Sequence, residues 1–456
     1  MVRIASCRDS LEDRPDLFAV EAFSSALPPS WIAEAIRACG RDALRIRLLP
    51  PQLVASLVIL MGLYRRDSYV NLLGRVREAT HDRGLWRGDV PSTSALSRAR
   101  DRVGIEPLRR LFERSAHTWL RQTQPRLFHG HRALALDGST GRTPDTPENM
   151  AFFDRPGAIQ GHASHPQFRT VILFDISTRL ARAASFGGYR DSEYALAGHV
   201  LHEIDPGSLV VMDRGFNAFG LLQDILDRGA QFLLRVRSNT RFEVLQNFGP
   251  GDDLVRVRAD RKRRRERPEL PPGWVVRRIR YQLHESQEEY VLVTSLLDPR
   301  AIPAARFADL YKERWEAEIG FDEIKCHLLG ITASSRPTAV RSMLPERVLQ
   351  ELWGILIAYN LVRILMAMAA PRATADTAPL PPKRLSFTYC LSRIGDAVPD
   401  MMRAPTHRLV DRFEQLLWAL ARVVVPPRPG RSYPRAVKRK ASNYPVKRSR
   451  LAGAPP

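Results

Sequence analysis

The sequence predicts a mixed α/β protein with a helical N-terminal unit, on three observations. Residues 28 to 122 carry helix starts and stops in close succession. From residue 131 the pattern changes to short, β-branched apolar runs alternating with helical ones. A chain of 456 residues that is 44% hydrophobic can also fill a sizeable core in two or three domains.

In chain order, "PPSWIAEAIRACG" begins with Pro and ends with Gly, as a short helix does. "PPQLVASLVILMGLYRR", "SYVNLLGRVREATHDRG", "PSTSALSRARDRVG" and "IEPLRRLFERSAHTWLRQ" follow, with Ser92 read as an N-cap and Gly104 as a stop. Arg98, Arg100, Arg102, Arg109 and Arg110 fall on neighbouring short helices. They read either as a face that docks in a DNA groove or as the solvated face of a bundle. "HRALALDGST", "FRTVILFDIS" and "RLARAASFGG" are strands, "DSEYALAGHVLHEI" a helix, "SLVVMDRGF" a strand, "AFGLLQDILDRG" a helix and "AQFLLRVRS" a strand. The order β-β-β-α-β-α-β predicts a mixed sheet with helices on its faces.

Residues 238 to 302 break that rhythm. "RADRKRRRERPELPPG" reads as a basic, Pro-rich loop, and "GWVVRRIRYQL" and "EEYVLVTSLL" as antiparallel strands, together a small β insertion. The expected organisation is therefore a helical unit over 1–125, a core over 126–237 that resumes over 303–370, the insertion between them, and a C-terminal helical segment with a basic tail over 371–456. The tail, "PPRPGRSYPRAVKRKASNYPVKRSRLAGAPP", has little to bury.

The net charge of +21 points to a polyanionic partner, with nucleic acid favoured. Cys7, Cys39, Cys326 and Cys390 lack metal-site or disulfide spacing and suit a reducing cytoplasm. The N-terminus has no apolar signal-peptide run. "VLQELWGILIAYNLVRILMAMAA" is long enough to span a bilayer, but Glu351, Asn360 and Arg363 interrupt it. It reads as a buried helix, and no membrane partner is expected. His129, His131, His162 and His165 match no zinc spacing and read as loop or phosphate contacts.

Asp137 and Asp213 each end an apolar run, where side chains either converge on a site or simply lead into a turn. "YKERWEAEIGFDEIK", residues 311 to 325, adds a sharper pattern. On one continuous helix Tyr311, Arg314, Glu318 and Lys325 lie at about 0°, −60°, −20° and −40°, a single stripe. Glu313, Glu316 and Glu323 point elsewhere and read as solvated, while Asp322 falls close enough to the stripe to stay a candidate. One acid flanked by two cations and a phenol suits phosphate chemistry: the acid holds a metal and the cations meet phosphates.

The spacing Y-x2-R-x3-E-x6-K resembles the signature of the insertion sequence 4 family of DDE transposases. The two strand-end aspartates, the helical N-terminal region and the basic tail extend the resemblance over nearly the whole chain. It implies an RNase H-like catalytic core with a β-strand insertion, preceded by a helical DNA-binding domain. It implies a triad of Asp137, Asp213 and Glu318, choosing Glu318 over Asp322, that holds two Mg²⁺ ions (Mn²⁺ able to substitute). Tyr311, Arg314 and Lys325 would hold phosphates beside the scissile bond. The implied partners are double-stranded DNA, as terminal inverted repeats and target, and a second copy of the chain in the synaptic complex. The implied setting is the bacterial cytoplasm, at the nucleoid when bound to DNA. Hairpin-forming relatives flip a base onto an aromatic in the insertion; Tyr290 stands at the corresponding place with Trp274 nearby, and both also read as core. Trp315 reads as packing with a base contact. The rivals are an inactive transposase-derived DNA-binding protein or repressor, and another RNase H-like nuclease such as a resolvase.

Overall fold

The computed structural model describes residues 26–426 apart from 43–47, 82–88, 124, 159–160, 163–164, 238–239, 260–263, 266, 283–288, 330–339 and 374–379. The N-terminal segment with Cys7, most of the Arg/Lys run at 261–265 and the basic tail lie outside the described residues.

Five strands form the centre of one sheet: β1 (His131–Arg142), β2 (Gln167–Asp175), β3 (Ala181–Gly188), β4 (Leu209–Met212) and β5 (Gln231–Arg235). Their spatial order is β3-β2-β1-β4-β5. The first three make an antiparallel meander, and β4 and β5 run parallel to β1. Four further strands, β6 (Glu243–Gly249), β7 (Asp252–Arg258), β8 (Gly273–Gln282) and β9 (Glu289–Thr294), come from the expected insertion. They extend the same sheet, because β9 pairs antiparallel with β5 and β8, β7 and β6 follow. β6 and β7 lie where the sequence predicts no strand. Most of β6 is exposed, so no apolar run marks it.

Two cores lie on opposite faces of the sheet. Alternate residues divide between them: Ala135, Val211 and Leu233 face one, while Leu136, Met212 and Leu234 face the other. The second core is closed by α7 (Glu193–Gly198) and α8 (Phe219–Asp227). The first is closed by a helical layer. N-terminal helices α1 (Pro29–Ala38), α2 (Pro51–Leu63), α3 (Tyr69–Ala79), α4 (Thr93–Val103) and α5 (Glu106–Gln122) contribute to it. So do α11 (Pro345–Ala369), α12 (Phe387–Arg403) and α13 (Leu409–Leu420). The remaining helices are α6 (Pro147–Phe153), α9 (Ala304–Glu313) and α10 (Trp315–Asp322).

Ser92 caps α4 by accepting from the Ala95 amide, and Gly104 ends it at φ 72°. Helix α11 is apolar and long enough to cross a membrane, and its side chains are almost all buried among neighbours. Its polar interruptions are paired internally. Glu351 meets Arg65 at 2.5 Å, Asn360 clamps both backbone groups of Ala181 at 2.8 Å, and Arg363 bonds Glu323. Arg100 is not a DNA-reading arginine of the N-terminal face. It is 1% exposed and bonds Gln350, Tyr69, Ser342 and the Arg347 carbonyl, pinning α4 to α11.

Candidate active site

The parallel pairing of β1 with β4 ends at Leu136–Met212. Asp137 and Asp213 are the next residue on each strand, so two acids 76 positions apart start from neighbouring rungs of one ladder. β1 itself runs on to Arg142 against β2, so Asp137 stands within its strand, at the point where β4 leaves it, and not at a strand end. The Asp213 carboxylate accepts from the Gly215 amide at 2.8 Å and caps a short 3₁₀ turn, Arg214–Phe216. The Gly138 amide donates to Asp137 at 2.8 Å.

The third acid arrives from the helical side. The segment 311–325 is not the single helix on which the stripe was drawn. Helix α9 ends at Glu313, Arg314 keeps helical dihedrals but sits in a tighter i→i+3 turn, α10 covers Trp315–Asp322, and Glu323–Leu328 form a π-helical turn. The stripe survives the break where it matters. The Arg314 guanidinium bonds Glu318 at 2.6 Å and lies 3.5 Å from Asp137. Gly320 lets α10 lie tightly on the sheet, since a Cβ there would come within 3.0 Å of the Phe174 ring. Asp322, the other candidate, is exposed.

Charge is unbalanced here. Burial pushes the Asp137 carboxyl up to about 6; Arg314 and the Gly138 amide oppose this, and Asp213 and Glu318 add to it. Burial disfavours the charge of Arg314, but Tyr311, Glu318 and Asp137 hold its pKa above the ordinary value. Tyr311 is buried, its pKa raised by burial, and its ring lies 5.7 Å from the Arg314 guanidinium. Burial lowers the Lys325 pKa, and Asp322 and Asp137 resist the drop.

None of the three acids read as solvated is free: Glu313 is half-buried and accepts from Lys383 at 3.1 Å. Glu323 is buried, bonded to Arg363 and to Arg179 at 3.0 Å. Glu316 pairs with Arg179 and, at 3.2 Å, with Lys383. Glu316 and Glu323 both point away from the stripe, as the wheel has them, and share Arg179 there; that face is packed against cations rather than solvated.

The family model for the transposase DDE domain matches residues 128–361, and that for the insertion element 4 transposase N-terminal region matches residues 18–113. The chain belongs to the insertion element 4 family of DDE transposases. The transposase InsG for insertion sequence element IS4 of Escherichia coli (strain K12) is 30% identical over 424 residues, 92% of either chain. The putative transposase InsZ of the same strain is 25% identical over 59% of this chain and 92% of its own length. A cryo-EM structure of the piggyBac transposase synaptic complex with hairpin DNA aligns over 92% of this chain and 88% of that one, at 13% identity and a TM-score of 0.43.

DDE transposases use divalent metal ions, and the residues of this transposase fit one. The candidate donors are three carboxylates, hard oxygen ligands, and Asp137 is raised by burial first, with Asp213 and Glu318 adding to it. Among the described residues no three such side chains already stand together as a metal cage, and the Arg314 guanidinium bridges Asp137 and Glu318. A cation already draws these two carboxylates together.

The expected aromatics divide. Trp274 is core: buried, stacked on Phe219 at 4.6 Å, and donating to Gln223 at 2.8 Å. Tyr290 packs beside Tyr281 at 5.4 Å, with the Arg235 guanidinium 3.9 Å over its ring. Trp315 is 41% exposed beside Arg314. Of the histidines, His131 bonds the Gly207 carbonyl at 2.8 Å, His129 packs edge-on against Phe128, and His165 has its pKa lowered by burial. The side chain of His162 lies outside the described residues.

Proposed function

We propose that this transposase excises and inserts its element by metal-dependent strand cleavage and strand transfer at terminal inverted repeats, with Asp137, Asp213 and Glu318 as its catalytic carboxylates. The observation that carries this is the meeting of Asp137 and Glu318 on Arg314, beside the rung that carries Asp213. When bound between these acids, Mg²⁺, or Mn²⁺ in its place, supplies an activated water or 3′-hydroxyl and stabilises the departing 3′-oxygen.

The chain's own residues do the rest. Asp137 and Asp213 are fixed by backbone amides, and Glu318 by Arg314, so the donors are oriented before substrate arrives. Arg314 presents a planar fork that can turn from Glu318 to a phosphate, and Lys325 gives a point contact on the same side. Tyr311 backs Arg314 with its ring and restricts the guanidinium's travel. Trp315 offers an exposed ring to a base beside the cut. A flipped base reaches Tyr290 only by displacing Arg235 from its face. Cutting and joining two ends requires two active sites held together, hence a homodimer on DNA, working in the bacterial cytoplasm.

The test is cleavage of linear DNA bearing the element's own ends, in Mg²⁺ and in Ca²⁺, by wild type and Asp137→Ala. Mg²⁺-dependent nicking at the repeat boundary, lost in the variant, is the expected result. Binding without cleavage by a well-folded chain would replace this reading with the inactive DNA-binding one.

A further inference from the structure

Glu193, the first residue of α7, lies on the sheet face opposite to Glu318. α7 packs into the core with Leu136 and Met212, whereas α10 packs into the core with Ala135 and Val211. Its carboxylate lies against the backbone of Gly138, the residue after Asp137. A Cβ at Gly138 would come 2.7 Å from the Glu193 carboxyl carbon and 2.9 Å from Oε1. The other oxygen is turned toward the second aspartate's turn, with Oε2 3.8 Å from where a Cβ on Gly215 would stand and Asp213 Oδ1 at 2.9 Å from the same point. Glycine at 138 thus leaves room for a close approach, and what approaches is a carboxylate.

We propose that Glu193 is a fourth carboxylate of the divalent-metal centre, reaching it past the end of β4. The inference rests on the active-site reading above. β4 stops at Met212 while β1 continues to Arg142, which leaves the flank of β1 beyond Asp137 open to a side chain from the α7 face.

Two plainer roles do not use Glu193 up. Capping of α7 is already done by Ser192, whose hydroxyl accepts from the Ala195 amide at 3.1 Å. The ion pair with Arg169 is loose, at 3.5 Å, outside ordinary hydrogen-bond range, and that guanidinium also lies over the Tyr189 ring. The Glu193 side chain keeps 35% exposure, so its oxygens remain accessible to a hydrated cation.

The test is Mn²⁺ binding to the full chain without DNA, followed by the loss of the free-ion electron paramagnetic resonance signal. The variants are Glu193→Gln, Glu193→Asp, Arg169→Met and Asp137→Ala, with metal-free melting temperatures measured alongside. Glu193→Gln is expected to weaken Mn²⁺ about tenfold while melting like wild type, with Glu193→Asp intermediate and Arg169→Met close to wild type. Wild-type affinity in Glu193→Gln, with Asp137→Ala impaired, overturns the role of Glu193 alone. Wild-type affinity in Asp137→Ala overturns the active-site reading and this inference with it. Should Glu193→Gln not fold, Glu193→Asp decides, because wild-type affinity with the shortened side chain is equally fatal.

Discussion

Two clusters of charge flank helix α10, and they are composed oppositely. On one side Glu316 and Glu323 meet three cations, Arg179, Arg363 and Lys383, and the Tyr359 hydroxyl closes the group. On the other, Asp137 and Glu318 share one bonded guanidinium, Arg314, while Asp213 adds its charge beside Asp137 and Lys325 interacts with Asp137. The titrations follow the composition. Burial works against the Glu316 charge, yet Arg179 and Lys383 bring its pKa below the ordinary value, whereas Asp137 rises to about 6. A saturated ion cluster holds a helix in place; an anionic surplus where two central strands part is where a cation is wanted. The largest effect should come from the unsaturated side. Asp137→Ala should lower Mg²⁺-dependent cleavage by at least about a thousandfold, several kcal/mol of barrier, with melting unchanged. Cleavage near wild type would erase the distinction between the clusters.

Glu323→Gln probes the saturated side. It strands the Arg363 guanidinium, 1% exposed, without a full counter-charge. The expected cost is on the order of 3 kcal/mol in chemical denaturation. Asp137→Asn should be neutral or stabilising in the same assay, since it removes a carboxylate that the fold holds at a disadvantage. Equal losses in both variants would mean that the two clusters do the same work.

What the sequence made legible follows from which signals are local. β1 to β5 were readable because their buried runs are continuous, and the four-residue spacing from Tyr311 to Lys325 picked out residues that do collect around Asp137. The same spacing put Glu316 and Glu323 on the opposite face but misread that face as solvated, because Arg179 and Arg363, which cover it, are remote in sequence. Arg100 looked like its exposed neighbours, and only the fold brings Gln350 and Ser342 to it. Glu193 gave no signal at all. An acid after a serine at a helix start is what capping alone would place there.

A smaller effect separates the clusters by pH. The folded Asp137 pKa, about 6, lies above the usual aspartate value of about 3.9, so the folded state binds the extra proton. The site therefore costs nothing below pH ~4, and its penalty grows as pH rises through about 6 and then levels off. Glu316 is opposite in sign: its lowered pKa makes a contribution that is present above the ordinary glutamate value and lost as pH falls through the folded one. The melting-temperature difference between Asp137→Asn and wild type should open between pH ~4 and ~7 in favour of the variant. A difference that stays flat would place Asp137 outside the anionic surplus.

The smallest expected effect belongs to Lys325, at the edge of the unsaturated cluster. Its ammonium lies 5.9 Å from the Phe321 ring centroid and interacts electrostatically with Asp137. Each phosphate that a lysine neutralises releases condensed counterions, so the loss should appear as a changed salt slope rather than as a changed sequence preference. Lys325→Ala should flatten the plot of log affinity against log salt by about one phosphate contact for cleaved-end DNA. Lys383→Ala, which removes a cation from the saturated cluster, should leave that slope alone and lower the melting temperature instead. A Lys325→Ala slope identical to wild type would put this lysine with the scaffold.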